Sequence, residues 1–280
     1  MKKRTNKKIV IYFVLLWVIF AFLLESTDLW ISVKVYDPNS WWSIFLERYG
    51  EIPGLIVALI GIHIYITTLK SSSNTKKILL TAFLLTTSAL LTIYIFFTVS
   101  NSITGSFYFF NTNKNYFYFL AIIINIVISY LYRKHKKFSK KSIIFSKVSF
   151  NMFFYGYLVF IVLLKLFWGR VRFRDLAANY SNFTPWYLPQ GITGNDSFPS
   201  GHTAMGWMLL SIFVLITDKS IRKRFVLKAI IISWAITLGI SRIIAGAHFT
   251  SDVVFASFIM IITYLVSLNY VTKNVNSEMD

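Results

Sequence analysis

Two histidines in the C-terminal half lie among residues that give them chemistry. His248 precedes Asp252 by four residues in the run Ser241-Arg242-Ile243-Ile244-Ala245-Gly246-Ala247-His248-Phe249-Thr250-Ser251-Asp252. If a helix extends through both, they share one face. A carboxylate on one ring nitrogen fixes the tautomer and stabilises the imidazolium, which leaves the other nitrogen free to attack phosphorus. His202 closes the run Pro199-Ser200-Gly201-His202, and a histidine after that turn is placed to protonate a leaving oxygen. In a second half-reaction it serves as base for the water that attacks the phosphohistidine. Lys165, Arg172 and Arg242 offer donors and no acceptor; arginine binds phosphate oxygens bidentately and lysine acts as a point charge. Gly201 leaves room for backbone N–H groups to approach an anion at a helix start, and Ser200 adds a hydroxyl. This is a site for a tetrahedral anion, preorganised for charge that spreads over equatorial oxygens. It calls for no metal and no other cofactor, because three cations already neutralise the phosphate. Arg170 and Arg174 flank Arg172 and are candidates for headgroup contacts.

These residues come from distant stretches, so long elements must bring them together. The chain has 280 residues, 56% of them hydrophobic and only 14% charged, with mean hydropathy +0.60. A soluble domain carries about 25% charged residues, so the apolar excess is expected to face lipid. Eight apolar runs approach the roughly 20 residues of a span: 9–24, 54–69, 78–99, 116–132, 148–167, 203–217, 228–247 and 253–270. The expected fold is all-α, a polytopic transmembrane bundle. No linker splits it and no repeat is found, so 1–280 reads as one integral membrane domain, with N-terminal spans in 1–145 and a catalytic core in 146–270. The absence of cysteine excludes disulfides, thiol catalysis and zinc–thiolate sites.

The formal net charge of +18 would suit nucleic acid if it formed a basic face on a soluble fold. Here the cations sit in short clusters between apolar runs, which is the signature of membrane topology and not of nucleic-acid binding. Most of the 29 lysines and arginines fall in the N-terminal tail, at Lys70, Lys76 and Lys77, in 133–147, in 219–228 and at Lys273. The positive-inside rule then places both termini in the cytoplasm of a plasma-membrane protein, with the chemistry on the outer face. The first run reads as an uncleaved anchor, because Leu24-Glu25-Ser26 is not a small-x-small cleavage site. The segment 25–53, with Trp30, Trp41 and Trp42, is expected outside, as an interfacial helix or an ordinary loop. His63 reads as a packed or hydrogen-bonded residue within a span, and His135 as solvated. Asn195 and Asp196 are expected to shape the turn before Pro199.

The three segments resemble the type 2 phosphatidic acid phosphatase superfamily. Its Lys-x6-Arg-Pro motif is matched by Lys165 and Arg172, with Phe173 where proline is usual. Its Pro-Ser-Gly-His motif is matched at Pro199, Ser200, Gly201 and His202. Its Ser-Arg-x5-His-x3-Asp motif is matched at Ser241, Arg242, His248 and Asp252. The resemblance implies a metal-independent phosphatase that works through a phosphohistidine on His248, in a bundle with a six-span core and the site at the outer surface. Eight runs then mean two additional N-terminal spans, or N-terminal runs that do not cross. The expected partners are a lipid phosphate or diphosphate substrate and the surrounding lipids. Undecaprenyl diphosphate is favoured if the source is bacterial; phosphatidylglycerophosphate and phosphatidic acid are the alternatives, as is phosphotransfer to a lipid or sugar hydroxyl. A phosphate-lipid transporter or scramblase would instead need polar or charged residues at mid-membrane.

Overall fold

The computed structural model describes residues 2–69, 73–105, 107–134 and 137–277. Lys70 and His135 lie outside the described residues. All regular structure among the described residues is helical, with no strand. In chain order the helices are α1 (Lys2–Val35), α2 (Trp41–Tyr49), α3 (Ile52–Thr67), α4 (Asn74–Thr104), α5 (Phe107–Thr112), α6 (Lys114–Lys134) and α7 (Lys140–Asn151). An 11-residue π-helix (Met152–Val162) then joins α7 to α8 (Leu163–Trp168). After a long connection come α9 (Gly201–Met208), a 3-10 extension (Leu209–Val214), α10 (Ile221–Ile244) and α11 (Thr250–Ser277).

Seven helical segments among the described residues are long and apolar enough to cross a membrane, which fits a multi-pass membrane protein. The apolar segment Gly201–Val214 is shorter. Its 8 α-helical and 6 3-10 residues nevertheless rise about 24 Å, because 3-10 geometry climbs faster per residue. It must travel from the end that holds His202 to the start of α10, whose own far end holds Arg242. The helices overrun the apolar runs at most ends because polar caps extend them. Ser73, Ser139 and Ser220 accept from the backbone N–H groups of Lys76, Ser142 and Lys223, satisfying donors that a helix start leaves orphaned. α1 differs most: it runs unbroken past the apolar stretch to Val35 and carries Asp28 inside it. Nor is 25–53 an outlying loop. α2 packs against α10 and α4, burying Ser43 and Leu46, and Ser43 Oγ donates to the Ser241 carbonyl over 3.0 Å.

α3 is the central helix, packed on α7, α4 and α9. Leu55, Ala58 and Ile62 meet Val148, Met152, Met205, Met208 and Ala256 in one buried cluster. Among lipid tails there is little hydrophobic force between helices, so close packing of small residues must hold them. A Cβ on Gly54 would come 2.1 Å from the Met205 carbonyl oxygen, and one on Gly239 2.8 Å from Val253. His63 is hydrogen-bonded: Nε2 meets Asn125 Oδ1 at 3.0 Å, and Ser88 and Ser129 lie 3.3 Å from its two ring nitrogens. This uncharged cluster ties α3 to α4 and α6.

Gly54→Ala should therefore cost about 1–3 kcal/mol through overpacking. It is expected to lower the unfolding temperature in detergent, followed by tryptophan fluorescence, while Ile78→Ala on the 67% exposed outer surface leaves it unchanged.

Candidate active site

The site is built at one end of the bundle, where α8, α9, α10 and α11 terminate or begin. Gly169, with φ +61°, ends α8; a side chain there would press on the Gly191 carbonyl oxygen at 2.2 Å. The turn releases Arg170, Arg172 and Arg174 just beyond Lys165 in the last turn of α8. Between α10 and α11, Gly246 adopts φ +64°, and a Cβ would meet the Tyr36 ring at 2.6 Å. Only glycine suits that left-handed position beside an aromatic ring. The turn fixes His248, whose N–H donates to the Arg242 carbonyl over 3.2 Å.

His248 and Asp252 do not share a helix face, because α11 begins only at Thr250. They approach by helix capping instead. Asp252 reaches back from the first turn, and its Oδ2 accepts the Phe249 N–H at 2.9 Å, the carboxylate half of a capping box. The same oxygen lies 3.6 Å from His248 Nδ1, just beyond hydrogen-bond range, as resting catalytic pairs often are. His248 is 3% exposed. Burial is the main cause that pulls its pKa down to about 3, with Lys165 and Arg242 adding to it and Asp252 opposing. The ring is thus uncharged at neutral pH and its lone pair is available to an electrophile.

Asp252 is held on every side. Its Oδ1 takes Arg170 Nη1 at 2.6 Å, and its Oδ2 also accepts Ser197 Oγ at 2.5 Å. Its carbonyl takes the Ser200 N–H at 3.1 Å, which locks the start of α9 to the start of α11. Arg170, a candidate for headgroup contact, is placed differently. It is 1% exposed. Nη2 pairs with Asp28 at 2.8 Å, Nη1 also donates to Ser251, and Nε donates to the Thr184 carbonyl. Its guanidinium stacks 4.0 Å above the Phe249 ring. With each nitrogen engaged and no exposure, it has nothing to offer a headgroup.

The other cations are differently placed. Arg172 Nη2 meets Asp196 at 2.6 Å, and Lys165 bonds the Asp196 carbonyl oxygen with its carboxylate 3.8 Å away. Asp196 thus pairs with cations; it does more than shape a turn. Arg242, 2% exposed, meets Glu47 at 2.9 Å, and Arg174 meets the same carboxylate at 3.1 Å. Arg174 therefore sits at the rim beside Arg242. Arg172 Nε and Arg242 Nε and Nη1 are buried without a hydrogen-bond partner among the described residues, so donors remain for the oxygens of an anion. Glu47 and Asp196 are 32% and 46% exposed and can give way to it. Ser200 caps α9, accepting from Thr203. A Cβ on Gly201 would stand an ordinary 3.9 Å from Tyr157, so the protein's own packing does not demand glycine there. His202 Nε2 donates to the Glu47 carbonyl at 3.0 Å, and the Arg242 charge acts on both imidazoles.

Residues 145–276 match the family model of the PAP2 superfamily. Over these residues the chain is similar to members of that superfamily. PAP2 members are in general phosphatases acting on phosphate esters. No curated protein and no solved structure matches the chain. The departure from the PAP2 motif at Phe173 has a packing counterpart. The ring is 6% exposed and lies against Tyr36 and Phe249 at 5.2 and 6.0 Å. It anchors the chain after Arg172 by burial where proline would do so by stiffness. From outside the PAP2 region Glu47 and Glu51 meet the motif residues Arg242 and His202, and Asp28 meets Arg170 and Ser251; sequence reasoning assigned these three acids no role. The available signal was an acid inside or beside an apolar run, which is costly without a partner.

NMR titration of histidine-labelled protein tests the electrostatics. The resonance that disappears in His248→Gln should not move between pH 8 and 5, whereas a midpoint near the ordinary histidine value would show a ring that is not held neutral.

Proposed function

We propose that the protein is a membrane lipid phosphate or diphosphate phosphatase that works through a phosphohistidine on His248. The observation that carries this reading is a neutral, buried His248 oriented beside a fully buried Asp252, next to a cluster of cations with unused donors. Lys165, Arg172 and Arg242 bind the phosphate oxygens, displacing Glu47 and Asp196. His248 attacks phosphorus, and the charge developing on the ring is matched by Asp252. His202 gives a proton to the leaving oxygen; when water then attacks the phosphohistidine, His202 takes a proton back. Ser200 and Gly201, at the start of α9, add a hydroxyl and backbone N–H groups on the phosphate side.

The end of the bundle away from the site carries the start of α1, the end of α11 and the described cations of 133–147 and 219–228. The positive-inside rule makes that end cytoplasmic and the site extracytoplasmic in the plasma membrane. An outward site suits undecaprenyl diphosphate, a carrier lipid released on that face. The transporter reading gains little from the cluster around His63. It is about 18 Å along α3 from Glu51 at the active-site end, by helix rise, and its bonds join helices as interhelical polar contacts do in membranes.

Purified protein in EDTA should release phosphate from undecaprenyl diphosphate, phosphatidic acid or phosphatidylglycerophosphate. His248→Ala should lose on the order of 10³-fold or more, and His202→Ala roughly 100-fold or more. Acid-labile phosphate should be trapped on the wild type and not on His248→Ala; full activity of that variant would end the proposal. A lipid or sugar phosphate formed from an added acceptor would reveal transfer in place of hydrolysis. Because the chain has no cysteine, single reporters give a clean test of side. Ile192→Cys should react with an impermeant maleimide on intact cells, and Asp218→Cys should not.

A further inference from the structure

Glu51 is a buried carboxylate that the three motifs do not include. It stands at the N-cap of α3, yet its side chain makes no capping bond. It turns inward and is 3% exposed. Oε1 accepts Tyr94 Oη at 3.0 Å and Thr98 Oγ1 at 3.4 Å, both from α4. Those bonds aim the other oxygen, Oε2, at His202 Nδ1, 4.0 Å away. The second ring nitrogen of His202 is occupied by the Glu47 carbonyl at 3.0 Å. His202 therefore has a carbonyl oxygen against one nitrogen and a carboxylate facing the other. An imidazole placed between two acceptors is stabilised in its doubly protonated form. An ionisable residue this deep in a bundle is expensive to keep and marks function.

We infer that Glu51 is a positioning residue for His202, forming with it a second histidine–carboxylate pair beside that of His248 and Asp252. Burial and the Arg242 charge lower the His202 pKa, and the Glu51 carboxylate opposes them. At 4.0 Å, Glu51 is too far to take the proton itself and close enough for its charge to act in a low-dielectric site. Nδ1 remains free to pass its proton to the leaving oxygen as the phosphorus–oxygen bond breaks and the phosphorus–nitrogen bond to His248 forms. In the second step water supplies a proton to Nδ1, its oxygen bonds to phosphorus and the phosphorus–nitrogen bond breaks, which restores the charged ring beside Glu51. A motif search over the PAP2 region cannot find this residue, since it lies outside 145–276.

The inference rests on the phosphatase reading, and a leaving-group comparison separates the two. Full-length wild type, Glu51→Gln, Glu51→Asp, His202→Ala and the Glu51→Gln/His202→Ala double variant are assayed in detergent on p-nitrophenyl phosphate and phenyl phosphate. The first leaving group needs little protonation and the second needs it. The rate ratio of the two substrates within one sample does not depend on how much protein is folded. In Glu51→Gln the phenyl phosphate rate should fall about 10- to 100-fold relative to the p-nitrophenyl phosphate rate, and Glu51→Asp should recover part of that ratio. The double variant should be no slower than His202→Ala alone, because the pair acts as one unit. An unchanged ratio in Glu51→Gln, or losses that multiply in the double variant, overturns the inference while leaving the phosphatase reading intact. If wild type and His248→Ala release phosphate equally, the phosphatase reading falls and this inference with it.

Discussion

The guanidinium of Arg170 between Asp28 and Asp252 is the interaction on which the site depends. Burying one charge without a partner is prohibitive, and burying three is tolerable only when geometry satisfies them together. Here one guanidinium meets two carboxyl groups at 2.8 and 2.6 Å. Ser251 joins the set through its backbone N–H and hydroxyl, both bonded to Asp28, and the Phe249 ring covers the guanidinium face. Asp252, held within this arrangement, faces the His248 ring 3.6 Å away. The arrangement also draws three remote pieces of chain to one point: α1, the turn after α8, and the start of α11. Removing one partner from such a set leaves an uncompensated buried charge, at about 3–5 kcal/mol. The consequence for chemistry is rigidity, because Asp252 has no freedom to turn away from His248.

Charge at the site divides into a fixed set and an exchangeable set. Asp28, Arg170 and Asp252 are almost wholly buried, and water cannot replace their contacts. Glu47 and Asp196 are partly exposed and satisfy Arg242, Arg174, Arg172 and Lys165 from the open side. An anionic phosphoryl group can take over those contacts, with the unused nitrogens of Arg172 and Arg242 adding to them. The resting carboxylates thus keep the cations from standing unpaired near a membrane without committing them. Glu47 has a second tie, since its backbone carbonyl holds His202. That carbonyl belongs to α2, which is packed on α10, so His202 stays oriented when the Glu47 side chain is displaced.

Much of this was legible in the sequence, for local reasons. Apolar runs report spans because a bilayer has a fixed thickness, and the motif residues sit at span ends because their spacing from those runs is short. What the sequence conceals is the choice of distant partner. Arg170, Arg172 and Arg174 look alike in the string, yet one is sealed under Phe249, one faces Asp196 and one lies at the rim. Asp28 reads as a polar interruption after an apolar run, since hydropathy cannot see the arginine it meets 142 residues later. The His248–Asp252 spacing would be a helix repeat only if a helix ran through both; the two residues meet instead because a carboxylate in the first turn of α11 turns back to cap its own helix. Phe173 in place of proline is readable as a departure, but its role is visible only against Tyr36 and Phe249.

A helical bundle can dispense with some of its neighbours, and an active site in a membrane cannot dispense with counter-charges. The PAP2 region supplies the two imidazoles, the cations Lys165, Arg172 and Arg242, and Asp252. Asp28 on α1 balances Arg170, Glu47 on α2 balances Arg242 and Arg174, and Glu51 faces His202. The N-terminal helices are therefore not an inert addition to a complete enzyme core. Without Asp28, Arg170 would have to be balanced by Asp252 alone, and the competition would weaken the hold of Asp252 on His248. Without α2, Arg242 would lose Glu47 and His202 the carbonyl that orients it. In this chain the N-terminal helices and the motif-bearing ones form one electrostatic unit. Its carboxylates and imidazoles keep their alignment only while acids from both parts share the same buried cations.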